Sequence, residues 1–201
     1  MDINAALVKE LREKTGVGIM DCKKALAEAE GDIQHAIDYL RKKGIATAKK
    51  RGGRATSEGQ VASYIHGGGK IGVLVEVNCE TDFSAKTPDF SDFVRNIAMQ
   101  IAASAPLSVD REGLPSEILE REKEIYATQA RESGKPEKVI EKMVEGKLKK
   151  FFSDACLLEQ PYVKTPDITV QDLLNEMIAK TGENILIRRF VRYQLGESDE
   201  R

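Results

Sequence analysis

At 201 residues the chain is long enough for a small module plus one modest core, and nothing in it demands a large enzyme. A composition of 41% hydrophobic and 32% charged residues argues against disorder, and 5% aromatics with no Trp argue against a core built on large rings. The formal net charge of -2 gives no case for a surface that tracks nucleic acid as a whole.

In chain order, Ala5, Leu7, Val8 and Leu11 recur at helical spacing between Asn4 and Lys14, and Thr15-Gly16 supplies a stop. Ile19, Met20, Cys22, Ala25, Leu26 and Ala29 form a second apolar series ending at Gly31. Asp32 is placed to cap a third helix carrying Ile33, Ala36, Ile37 and Leu40 up to Gly44. Residues 1–45 therefore read as a compact three-helix module, near the lower size limit for independent folding. Its first interhelical turn sets Ile19 and Met20 beside Gly16 and Gly18. Arg41 to Arg54 holds seven basic and no acidic residues and ends near Gly52-Gly53, so residues 46–57 read as a basic linker.

The period then changes. Val61–His66 and Ile71–Cys79 are rich in β-branched residues around Gly67-Gly68-Gly69-Lys70, which predicts a hairpin with Ile71, Val73, Val75 and Val77 on one face. After Pro88 a helical stripe of Phe90, Phe93, Val94, Ile97, Ala98 and Ile101 runs to Ala105-Pro106. Two charged helices, about 116–133 and 136–154, follow as a helical hairpin around Gly134-Lys135-Pro136. Gln160–Val163 is extended, Val170–Thr181 a short helix, Ile185–Leu195 a third strand, and residues 197–201 a frayed tail. The expected class is α+β: the module, the linker, and a core over 58–196 of a three-stranded antiparallel sheet packed with helices.

Catalytic machinery is sparse. The histidines are His35 and His66, no nucleophile elbow or phosphate loop occurs, and no enzyme, cofactor or metal site is expected. Cys22, Cys79 and Cys156 are odd in number and widely spaced, which fits neither a disulfide framework nor a metal knuckle and points to a reducing compartment. Asp2 follows Met1 directly, without a basic start and apolar run, and no window could span a bilayer, so the expectation is cytoplasmic, with no membrane partner. A Cys79–His66 nucleophilic pair can be drawn, but a cysteine ending an apolar strand is more often a small apolar filler.

Asn78-Cys79-Glu80-Thr81-Asp82-Phe83-Ser84 joins an apolar strand to a helix and sets one aromatic beside one carboxylate. Either Phe83 packs inward while Asp82 caps, or Phe83 is an exposed anchor for a partner's pocket and Asp82 disturbs polar groups there. Ile19 and Met20, with Leu11 behind them, close the module's own core or meet a partner. His66 is either a solvated strand end or a contact.

Several runs together resemble the elongation factor Ts family. They are Leu7 to Leu26, Glu76-Val77-Asn78-Cys79-Glu80-Thr81-Asp82-Phe83, Ser133-Gly134-Lys135-Pro136, Glu145 to Phe151, Gln160-Pro161-Tyr162-Val163 and Gly182-Glu183-Asn184-Ile185. The resemblance covers nearly the whole chain, in one order. It implies a ubiquitin-associated-like amino-terminal module and a non-enzymatic guanine-nucleotide exchange factor of translation elongation. Its partner would be elongation factor Tu, in the GDP form and the nucleotide-free form.

Carried onto this chain, Thr81, Asp82, Phe83 and Ser84 would together form the contact that dislodges the Mg²⁺ of the GTPase, with Phe83 wedging between its helices, Asp82 disturbing the groups that hold the metal and Thr81 shaping the turn. Leu11, Ile19 and Met20 would meet the GTPase domain, and His66 would approach it. Two departures stand out. Ser84 occupies a position where many members carry Val, a hydroxyl expected to cap the following helix. The core is single, without the repeated half and inserted coiled coil of long members, which implies a homodimer about a two-fold axis, with no disulfide across Ile185–Leu195. No direct nucleic-acid contact is expected. An adaptor built on the module alone and an RNA-binding arm built on the basic run are the alternatives.

Overall fold

The computed structural model describes residues 4–132, 134 and 136–197. Ser133 and Lys135, and the tail from Ser198 on, named above, lie outside the described residues. The chain divides into two compact units: one takes in the residues up to Gln60 with Val77–Phe93 and Asp172–Leu186, the other Val61–Glu76, Val94–Gln171 and the residues from Ile187 on.

In the first unit, α1 (Ala5–Thr15) begins at Asn4, whose side chain accepts from the Ala6 amide, and ends at Gly16 in the left-handed conformation. α2 (Ile19–Glu28) and α3 (Ile33–Arg51) follow, and the Asp32 carboxylate accepts from the His35 amide at the start of α3. Leu11, Cys22, Ala25, Leu26 and Ala36 are fully buried and Val8, Val17 and Leu40 nearly so, a single apolar cluster shared by the three helices.

One boundary corrects the sequence reading. α3 does not end at Gly44 but continues seven residues further, so residues 46–51 of the expected linker are helical. The reason is tertiary: Gly44 is buried against α8 (Val170–Thr181), where a Cβ would stand 3.3 Å from that of Ala179. Glycine there gives the two helices room and does not stop the first.

β1 (Glu58–His66) starts three residues before the apolar alternation does, because Gly59 passes over β2 (Ile71–Cys79) so closely that a Cβ would lie 2.1 Å from the Val77 carbonyl oxygen. β2 buries Val73, Val75, Val77 and Cys79 on one face. β5 (Ile185–Gln194) completes an antiparallel sheet of order β1-β2-β5. A single helical turn, α4 (Asp82–Ala85), precedes α5 (Pro88–Ser104). Pro88 opens α5, and the Thr87 hydroxyl accepts from the Phe90 amide.

In the second unit, α6 (Ser116–Arg131) and α7 (Glu137–Ala155) form the expected helical hairpin. A 3-10 turn (Leu157–Glu159) and a small ribbon, β3 (Pro161–Tyr162) with β4 (Thr165–Thr169), follow. The extended run at 160–163 is held by the buried Gln100, whose amide donates to Gln160 Oε1 and the Pro161 carbonyl and accepts from the Val163 amide. Among the described residues no helix is long and apolar enough to cross a membrane.

Candidate functional site

Where β2 ends, Cys79 is fully buried and Thr81 turns the chain into α4. The Thr81 side chain stands at the N-cap and accepts from the Ser84 amide at 3.3 Å. This turn faces Ser84 and Ala85 inward and leaves Phe83 81% exposed. The inward reading of Phe83 is thereby overturned: a whole phenyl ring stands in solvent on a one-turn helix, apart from the core. A surface aromatic presented this way is what partner pockets take up.

Asp82 precedes it, partly exposed, and accepts a hydrogen bond from Lys86 Nζ at 2.6 Å. That bond holds the Asp82 carboxyl below its ordinary range, so the group is anionic at neutral pH. Lys86 keeps 75% of its side chain in solvent, and an exposed pair of this kind exchanges partners readily.

Ser84 does not cap the following helix. Thr87 does that, and the Ser84 hydroxyl is buried without a hydrogen-bond partner among the described residues. The expectation fails because the α4 turn directs Ser84 inward, and Thr87 is the residue immediately before Pro88.

Behind the turn lies a set of polar contacts to which the sequence reading assigned no role. Glu183, in the loop between α8 and β5, accepts from the amides of Glu80 and Thr81, both at 3.1 Å, and from the Thr81 hydroxyl at 2.6 Å. In return the Glu80 carboxylate accepts from the Asn184 amide at 2.6 Å and pairs with Arg54 and Arg51. The Asn184 side chain also donates to the Arg54 carbonyl. The Glu183 and Asn184 contacts join residues more than a hundred positions apart, so no local pattern announces them; the one signal was the Gly182–Ile185 run itself.

Ile19 and Met20, at the start of α2, are 53% and 65% exposed. Ile19 borders a groove of about 370 Å³ shared with Ala5, Val8, Lys9, Arg12 and Lys23, apolar in its floor and basic at its rim. Leu11 is different: it is fully buried in the three-helix cluster and supports these residues from inside the module, out of reach of a partner. All of these positions belong to the first unit, as do Thr81 to Ser84. His66 belongs to the second, exposed at the end of β1, with its ring stacked on Tyr64 and its Nδ1 3.0 Å from the Tyr64 hydroxyl.

The chemistry open to other groups is limited. Cys79 is buried, its thiol faces the Thr81 carbonyl at 3.2 Å, and burial followed by the Glu183 charge pushes its pKa up, the opposite of an activated nucleophile. Three free cysteines are all buried. Among the described residues no cluster of three His, Cys, Asp or Glu could hold a metal ion. Within the basic run, Arg41 pairs with Asp172, Lys43 with Asp21, and Arg51 and Arg54 with Glu80, so more than half of it is engaged inside the fold.

A family model described as "Elongation factor TS" matches residues 42–197. The chain is 65% identical over 195 residues to "Elongation factor Ts" of Moorella thermoacetica, across 97% of this chain and 96% of that protein. It is 62% identical to the protein of the same name from Desulfosudis oleivorans, across 97% and 98%, and 61% identical to that from Geobacter sulfurreducens, across 100% and 93%.

Proposed function

The chain belongs to the elongation factor Ts family, and we propose that it is the guanine-nucleotide exchange factor of translation elongation, acting on elongation factor Tu in the cytoplasm without making or breaking a bond. The module of residues 1–45, ubiquitin-associated-like in its three helices, is the GTPase-binding part, and 58–196 the core. Ile19 and Met20 dock on the GTPase domain, with Leu11 holding their helix from behind. His66 makes a further contact.

Exchange follows from differential affinity. A protein that binds the nucleotide-free GTPase more tightly than the GDP form lowers GDP affinity by the same ratio. Phe83 supplies that difference by filling a pocket that opens between GTPase helices. Asp82, released from Lys86, brings its negative charge close to the groups that hold Mg²⁺. Because Mg²⁺ bridges and neutralises the phosphates of a bound nucleotide, loosening it weakens GDP, and GTP can then rebind.

The observation that carries this reading is the 81% exposure of Phe83 directly beside an ionised Asp82 on a capped turn. Release of labelled GDP from elongation factor Tu tests it: Phe83→Ala and Asp82→Ala slow stimulated release while the chain stays folded. Release at the unmutated rate with both variants overturns it.

A homodimer is the second part of the proposal. It is supported by the outward side of the sheet, where Val61, Ile65 and Tyr193 are each more than 60% exposed and Leu74 is 48% exposed. Apolar residues repeated along solvent-facing strands favour association with a second apolar face.

A further inference from the structure

We infer that Glu183 is a positioning residue for exchange, fixing the Thr81–Phe83 turn in its presenting conformation; the inference rests on the wedge reading of Phe83 given above. A one-turn helix of four residues has too few internal hydrogen bonds to hold itself. Its conformation must be set from outside, and the groups that set it are identifiable.

The Thr81 hydroxyl has one proton and two lone pairs. Its proton goes to Glu183 Oε1 at 2.6 Å, which leaves a lone pair for the Ser84 amide at 3.3 Å. Glu183 thus orients the very group that caps α4. Its second oxygen takes the amides of Glu80 and Thr81, so the peptide planes entering the turn are fixed by the same side chain. One carboxylate accepts three hydrogen bonds from two consecutive residues, and the residue two positions beyond them is Phe83.

The arrangement is also braced from the other side. Glu80 sends its carboxylate to the Asn184 amide next to Glu183, and to Arg54 and Arg51. The two glutamates therefore cross, each accepting from the backbone of the other's segment. Three donors converge on the two oxygens of Glu183; a glutamine keeps only one of those oxygens, so either the Thr81 proton or the two amides lose their acceptor.

Stimulated release of labelled GDP, measured against rising concentration of this chain, separates the maximal rate from the half-saturating concentration. The variants are Glu183→Gln, Thr81→Val and Thr81→Ser, with Phe83→Ala and the double variant Glu183→Gln/Phe83→Ala. Glu183→Gln and Thr81→Val are expected to lower the maximal rate about tenfold, with the half-saturating concentration moving less than about threefold, because the Ile19 and Met20 contact is untouched. Thr81→Ser, which keeps the hydroxyl, stays close to the parent. The double variant is no slower than Phe83→Ala alone, since a residue acting through Phe83 has nothing left to position.

A Glu183→Gln protein with the parent's maximal rate, an effect confined to half-saturation, or a loss that adds in full to that of Phe83→Ala overturns the inference. If Phe83→Ala itself releases GDP at the parent rate, the wedge reading falls and this one with it. A slow Phe83→Ala beside an unimpaired Glu183→Gln sinks the positioning role alone. Should circular dichroism show Glu183→Gln unfolded, Thr81→Val against Thr81→Ser decides by the same two readouts.

Discussion

Gly44 of α3 lies against Ala179 of α8, so close that a Cβ added to the glycine would stand 3.3 Å from that of the alanine and 3.5 Å from the Asn175 carbonyl oxygen. Two opposing terms meet there. Alanine gains about 0.5–1 kcal/mol over glycine in a helix interior, and the tight contact takes some of that back. Gly44→Ala is therefore expected to be near neutral in urea denaturation, whereas Gly44→Val, with two more methyl groups against the same wall, loses about 1–3 kcal/mol.

The module's apolar residues divide into those that stabilise and those that are free to bind. Leu11→Ala opens a cavity in a fully buried cluster and costs about 2–5 kcal/mol in denaturant unfolding. Ile19→Ala and Met20→Ala, at exposed positions, shift stability by less than about 0.5 kcal/mol. Isothermal titration against nucleotide-free elongation factor Tu should show the reverse order of importance, with Ile19 and Met20 each weakening binding about tenfold.

Ser84 keeps a buried hydroxyl with no partner among the described residues. An unsatisfied group of this kind costs roughly 1–3 kcal/mol. Ser84→Ala should raise the melting temperature or leave it unchanged, and leave stimulated GDP release at the parent rate; a clear fall in stability would reveal a bond the hydroxyl makes.

Acid should weaken the first unit through Glu80. The Asn184 amide, and then Arg54 and Arg51, hold its carboxyl below the ordinary 4.5, so the folded chain binds this proton less readily than the unfolded one. Its stabilising contribution is fully present above the ordinary value and is lost as pH falls through the depressed one. Urea midpoints taken from pH 6 down to pH 3 should decline for the parent and decline less steeply for Glu80→Gln.

The exposed sheet side makes self-association testable at single residues. Leu74→Glu or Ile65→Lys places a charge among Val61 and Tyr193 and is expected to convert a dimer to a monomer in sedimentation equilibrium, with the circular dichroism spectrum unchanged.

Much of the architecture was legible because its signals are local. Asn4, Asp32 and Gly16 mark helix ends by capping chemistry, Gly67 to Gly69 all take left-handed conformations at the hairpin tip, and the β2 alternation names its own buried face. What escaped depends on partners distant in sequence. Gly44 reads as a stop until Ala179 is seen beside it, and Gly59 has no visible role until it crosses Val77. Thr81, Asp82 and Phe83 could be picked out along the chain, but whether the ring pointed in or out could not. The turn is bonded at its entry to Glu183, about a hundred residues away.

The unbroken course of α3 has a mechanical consequence. Its 19 residues make a rod about 28 Å long, with Ala36 and Leu40 seated in the three-helix cluster and Arg51 at the far end touching Glu80. A tilt of roughly 6° at one end of such a rod sweeps the other through about 3 Å, the full span of a hydrogen bond. A hinge at 46–51 would have absorbed that tilt. A rod delivers it, so a push on the three-helix cluster is a push on Glu80.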